Sequence, residues 1–144
     1  MDAAQQRHRL IWWGILLFFL GLVEGMFIQA MRNPAMGLSA HVGTLMSGMF
    51  LAIAGAVWND VHLPARAAAA TLWLALYGMY GSAAGLVLAA IFGTGRSTPI
   101  RAAGLHAAAW QEALVDFALT SGAVAALLAC VGLLWGLRGR AAAM

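Results

Sequence analysis

The chain has 144 residues, 63% of them hydrophobic and 9% charged, with a mean hydropathy of +0.85 and a formal net charge of +3. A soluble domain carries about 25% charged residues, so the composition excludes a water-soluble globule and implies an integral membrane protein. The basic residues are all arginine, spread over termini and connections, a pattern suited to anionic lipid head groups and not to gripping nucleic acid.

Four apolar segments follow one another. They run from about Leu10 to Met31, Ala40 to Trp58, Arg66 to Phe92 and Glu112 to Leu137. Each has close to the ~20 residues that carry an α-helix across ~30 Å of hydrocarbon. Backbone amides in lipid must be satisfied internally, so the segments are helices. The expectation is one all-α domain over residues 1–144, an integral membrane four-helix bundle.

The first segment is too long for a signal-peptide core and shows no clear cleavage site, so it reads as retained. Its first half is apolar; its second carries Glu24 and Gln29, with Gly21 and Gly25 around the glutamate. In the connection MRNPAMGLS, Pro34 and Gly37 are expected to break the helix and Ser39 to cap the next one. The second segment opens with His41, Thr44 and Ser47. Thr44, Gly48, Ala52 and Gly55 continue from His41 as a stripe of small residues, over which a flat ligand or another helix could approach closely. The third is nearly apolar until Tyr77, Tyr80 and Ser82, with Gly81 and Gly85 beside them. After the long connection GTGRSTPIRAAGLHAAAWQ, the fourth begins with Gln111, Glu112 and Asp116 and is almost purely apolar after Gly122. Cys130 lies deep in that run and reads as a small packing residue.

Chain direction alternates, so all four polar clusters fall in one half of the bilayer. One polar cavity opening toward that side is expected. Arg7, Arg9, Arg66, Arg138 and Arg140 lie on the opposite side, against Arg32, Arg96 and Arg101, which puts both termini in the cytoplasm. Trp12, Trp13, Trp58, Trp73 and Trp135 fall toward the same side as the termini, where an aromatic belt is expected.

Each polar residue has a bland reading beside a functional one. His41 either hydrogen-bonds near the helix start or serves as a ligand or catalyst. Glu24 is either a functional acid or a protonated group bonded to a neighbouring carbonyl. Glu112 either favours the positive end of its helix or works with Asp116, four residues on and on the same face. Tyr77 and Tyr80 are either packing groups with satisfied hydroxyls or proton carriers. His8, His62 and His106 read as loop or interface residues, with His106 alone on the cavity side. No phosphate loop, GxSxG, CxxCH or HExxH motif occurs. One buried histidine without a companion makes a poor zinc site and suits a single axial ligand of haem b.

The stretches NPAMGLSAHVGTLMSGMFL and AAWQEAL resemble the hydroxylaminobenzene mutases, small bacterial membrane isomerases, and the layout fits over nearly the whole chain. A wider similarity reaches styrene oxide isomerase. The first resemblance implies conversion of hydroxylaminobenzene to 2-aminophenol in nitroarene degradation, by a Bamberger-like intramolecular hydroxyl transfer, in a multi-pass protein of the bacterial inner membrane. The second implies a homotrimer holding ferric haem b through a histidine in an AH-x-G context. Ala40, His41 and Gly43 match that context, so His41 takes the metal-ligand role. Ser47 stands where an asparagine is expected, and Tyr77 and Gly85 align with an aspartate and a tyrosine, so the wider relative's proton-handling groups do not carry over.

Breaking the N–O bond needs a better leaving group, which a ferric iron or a carboxylic acid provides. His41 is therefore expected to hold haem iron, with Glu24, Tyr77, Glu112 and Asp116 as the candidate acid and proton carriers. The partners implied are an aromatic hydroxylamine, membrane lipid and further copies of the chain, whose glycine pairs offer contact faces. The rival readings are a haem b electron-transfer subunit, which would present two axial histidines, and a small transporter or structural membrane protein.

Overall fold

The computed structural model describes residues 2–102 and 104–138, so Arg140 lies outside the described residues. Helix α1 spans Ala3–Gly25, α2 Pro34–Ala56, α3 Ala65–Phe92 and α4 Ala109–Leu137, with single 3-10 turns at Ile28–Ala30 and Trp58–Asp60. No strand occurs among the described residues, and all four helices are long and apolar enough to cross a membrane. The all-α, multi-pass expectation holds.

The helix ends differ from those read off hydropathy, and local chemistry explains why. Helix α2 begins at Pro34, not Ala40. Asn33 caps it, its side-chain oxygen accepting from the Met36 N–H at 3.0 Å, and Pro34 occupies the first position, where a missing N–H does no harm. Ser39 is no cap: it lies inside the helix, its hydroxyl donating to the Ala35 carbonyl at 3.3 Å. Helix α1 stops at Gly25, so Gln29 sits exposed on the following 3-10 turn, outside the span. Helix α4 starts at Ala109, where the Gln111 side chain accepts from the Ala108 N–H at 2.9 Å.

The helices pair as two antiparallel hairpins. In the first, a Cβ on Gly14 would lie 2.6 Å from the Ala52 nitrogen and 2.8 Å from the Gly48 carbonyl oxygen, so α1 and α2 touch backbone to backbone. The small stripe of α2 is thus taken by another helix of the same chain. In the second, Gly78 of α3 approaches the Ala126 nitrogen equally closely, and Gly122 of α4 meets the Ser82 hydroxyl. Packing of α2 on α3 joins the hairpins; α1 meets α3 only sparsely, and α4 has no substantial contact with α1 or α2.

Each end of the bundle is tied. Trp58, expected in the aromatic belt, is only 3% exposed and donates to the Gln6 side chain at 3.1 Å. At the opposite end, Arg32 donates to the Phe92 and His106 carbonyls at 2.8 and 3.2 Å. Asn33, 3% exposed, donates from its backbone to Ala90 O at 3.0 Å and from its side chain to Arg101 O at 2.6 Å. Gly93, at φ +66°, ends α3 in the left-handed conformation that glycine adopts without strain.

Candidate active site

His41 stands on the second turn of α2 and lies against α1 where that helix carries glycine. A Cβ on Gly25 would be 2.8 Å from the ring Cε1 and 2.9 Å from Nδ1, so any other residue there would collide with the imidazole. Nδ1 is 2.7 Å from the Gly21 carbonyl oxygen. A carbonyl only accepts, so in the neutral ring Nδ1 carries the proton and Nε2 keeps its lone pair. Nε2 makes no hydrogen bond to the described residues.

That donor set fits one kind of metal centre. Among the described residues no three His, Cys, Asp or Glu side chains gather to hold a bare ion. A single imidazole with its far nitrogen uncommitted, and its near nitrogen anchored to a backbone carbonyl, suits a metal that brings its own macrocycle. His106, the other histidine at this end of the bundle, is exposed in the α3–α4 connection and is no facing second ligand.

Glu24, three residues after Gly21, faces Thr44 and the His41 ring. Glu24 Oε1 and Thr44 Oγ1 are closed off from solvent; the Thr44 hydroxyl lies within reach of the Glu24 carboxylate, and neither atom has a well-formed hydrogen bond to any other described residue. Thr44 is 3% exposed. Leaving a buried polar atom unpaired costs about 1–3 kcal/mol, so such atoms call for a physical reason. Both residues line a groove of about 530 Å³ whose other walls are apolar: Leu17 and Leu20 from α1, Phe27 just past its end, and Ala83, Ala84 and Val87 from α3. An aromatic ring could lie against these walls with its polar substituent on these two oxygens.

The other candidates lie elsewhere, with their hydrogen-bonding capacity in use. The Glu112 carboxylate, 9% exposed, accepts from the backbone N–H groups of Gly95, Arg96 and Ala107 at 3.0, 3.0 and 3.3 Å. Asp116 accepts from the Arg96 guanidinium and the Ser97 hydroxyl. The two carboxylates fold the α3–α4 connection onto the start of α4, and Glu112 and His106 line a separate pocket of about 560 Å³. The Tyr77 hydroxyl pairs with that of Ser121 at 2.7 Å on a half-exposed face. Tyr80 lines the Glu24 groove, its hydroxyl donating to the Trp13 carbonyl at 2.8 Å. The single cavity expected from depth is therefore divided. His41, Glu24 and Thr44 come together; Glu112 and Asp116 serve the connection; Tyr77 faces outward.

The roles of the Gly21 carbonyl and Gly25 in holding the imidazole, and of Asn33 as a buried tie, are not apparent in the residue types alone. The GxxxG spacing of Gly21 and Gly25 is the one sequence signal that marks the contact.

A model of the styrene oxide isomerase family matches residues 6–138. The chain is similar to hydroxylaminobenzene mutase HabB of Ectopseudomonas oleovorans, with 41% identity over 132 residues, 91% of this chain and 80% of that protein. It is also similar to hydroxylaminobenzene mutase HabA of the same organism, with 39% identity over 109 residues, 75% of this chain and 81% of that protein. No solved structure matches the chain.

Proposed function

The chain belongs to the styrene oxide isomerase family, and from that premise we propose that it rearranges hydroxylaminobenzene to 2-aminophenol in the bacterial inner membrane, with haem b held by His41. The substrate follows from the two mutases it resembles over most of its length. The observation that carries the site is the pair of solvent-shielded oxygens, Glu24 Oε1 and Thr44 Oγ1, set together in an otherwise apolar groove beside His41. An excess of arginine at the ends bearing the termini supports a cytoplasmic N-terminus. The active unit is a homo-oligomer, a trimer by resemblance to the wider family.

The reaction is an isomerisation, so every atom is retained. The substrate ring lies between the apolar walls of α1 and α3, and its N–OH faces Glu24 and Thr44. Thr44, beside the Glu24 carboxylate, orients the hydroxylamine through its hydroxyl. Glu24, as the carboxylic acid, gives its proton to the departing oxygen; the N–O bond breaks with both electrons leaving on oxygen as water. The aryl nitrogen cation left behind spreads its charge to the ortho carbon, and the Glu24 carboxylate stabilises it. The released water attacks that carbon before bulk solvent can, and Glu24 recovers a proton from it. Transfer of the ortho C–H proton to nitrogen restores the aromatic ring and gives 2-aminophenol. Haem, when bound at His41, supplies a Lewis-acidic iron able to share the activation of the hydroxyl oxygen.

The test is the visible spectrum and 2-aminophenol formation of the protein purified in detergent. His41→Ala is expected to abolish the Soret band and turnover together. Glu24→Gln is expected to keep the band and lower kcat by roughly 10²–10⁴-fold, the usual contribution of a positioned acid. Wild-type protein that forms no 2-aminophenol would overturn the reaction; a haem-free His41→Ala variant with full activity would overturn the iron's part.

A further inference from the structure

Two pockets lie end to end along the seam between α1 and α3. One is the groove holding Glu24 and Thr44, about 530 Å³; the other, about 550 Å³, is walled by Arg9, Trp13, Trp73 and Tyr77. Helices α1 and α3 run in the same direction, because one crossing lies between them. The second pocket therefore sits toward their N-terminal ends and the groove toward their C-terminal ends. Since α1 and α3 meet only sparsely, little else closes the seam.

Tyr80 alone lines both pockets. Aromatic side chains on a helix project back toward its N-terminus, which carries the phenol from α3 toward the level of Trp13. There its hydroxyl donates to the Trp13 carbonyl at 2.8 Å, and its ring meets the Trp13 indole edge-on, with centroids 5.8 Å apart and planes at 84°. The side chain is pinned at its tip and along its edge, so it spans the seam as a fixed partition. Behind it lies a space of similar volume, already walled by aromatic rings.

We propose that Tyr80 is a specificity-determining residue: it forms the end wall of the substrate groove, limits the enzyme to single-ring arylhydroxylamines, and keeps the aromatic pocket beyond it from receiving a second ring. This rests on the reading that the Glu24 groove holds the substrate. A hydroxylamine seated at Glu24 directs its para position along the seam, toward Tyr80, so para extension is the dimension the wall controls.

The experiment compares hydroxylaminobenzene with 4-hydroxylaminobiphenyl in the wild type and in Tyr80→Phe, Tyr80→Leu and Tyr80→Ala. Equilibrium dialysis of the unreactive aniline and 4-aminobiphenyl is run on the same detergent-purified proteins. Shortening the side chain is expected to raise the biphenyl-to-benzene ratio of kcat/KM at least tenfold, the discrimination that apolar pocket size commonly supplies. The Kd ratio of the two amines should shift the same way. Tyr80→Phe, which keeps the wall and loses only the hydroxyl, should stay within about twofold of wild type on the same scale. An unchanged Kd ratio in both Tyr80→Leu and Tyr80→Ala would overturn the wall, whether or not any rearrangement occurs. Absence of rearrangement by the wild type, with a shifted Kd ratio in the variants, would overturn the proposed reaction and leave the wall standing.

Discussion

The imidazole of His41 is held by what α1 lacks. Gly25 leaves the space in which the ring lies, and the Gly21 carbonyl fixes the proton on Nδ1. Gly25→Ala would place a methyl 2.8 Å from Cε1, a distance that real carbon contacts do not tolerate, so the ring must swing off the carbonyl. The expected outcome is a displaced or weakened Soret band and at least a tenfold loss of 2-aminophenol formation, in the range found for outer-shell partners of metal ligands. Gly81→Ala is the contrast. Its Cβ would meet nothing nearer than 3.8 Å, so the variant should keep activity and gain up to about 1 kcal/mol of stability in thermal unfolding from lost backbone freedom. His41 and Glu24 were legible in the sequence because ionisable groups stand out within apolar spans. The carbonyl that orients His41 was not, since every residue carries one and only the fold aims it. Glu112 and Asp116 were read as cavity groups because depth along a helix gives height in the membrane but not direction around the axis. Their carboxylates turn to the backbone and side-chain donors of the connection instead.

Hydropathy identified the four helices because each crossing needs the same length of apolar chain. Their ends were harder to read, because several residues near each boundary compete to cap. Between α1 and α2 both Asn33 and Ser39 could serve, and Asn33 wins through bonds outside its own helix. It caps α2 at Met36 N, and also ties Ala90 of α3 and Arg101 of the α3–α4 connection to the first connection. Asn33→Ala removes the cap, worth about 1 kcal/mol, and takes the partner from the part-buried Arg101 carbonyl, so a loss of roughly 1–2 kcal/mol is expected in detergent unfolding. Ser39→Ala should stay within about 0.5 kcal/mol, because its hydroxyl only returns to a carbonyl of its own helix. Equal effects from the two variants would mean that neither the Asn33 cap nor its tie between connections sets the stability of this end.

The glycine pairs that the sequence offered as faces between subunits are used inside the chain: Gly21 packs on Leu45 and Gly85 on Leu119. Outward apolar side chains such as Phe117, Leu127, Val131 and Leu134 do not by themselves imply a partner, because lipid tails are as apolar as they are. The case for an oligomer comes instead from the shape of the unit and the size of the proposed cofactor. Two hairpins joined through α2 and α3, with α4 away from α1, make an open arrangement and not a closed ring of four helices. His41 sits where α1 meets α2, so one chain would offer a haem the imidazole and the surface beside it, without enclosing both of its faces. On the proposed haem-bound reading, a second copy would provide the remaining wall. The haem-loaded particle, stripped of detergent mass by light scattering, is therefore expected at a multiple of 15.1 kDa, three by the family resemblance. Dissociation by harsher detergent should release haem together with activity. Particles at the mass of one chain, still holding haem and turning over substrate, would show that a single copy completes the site.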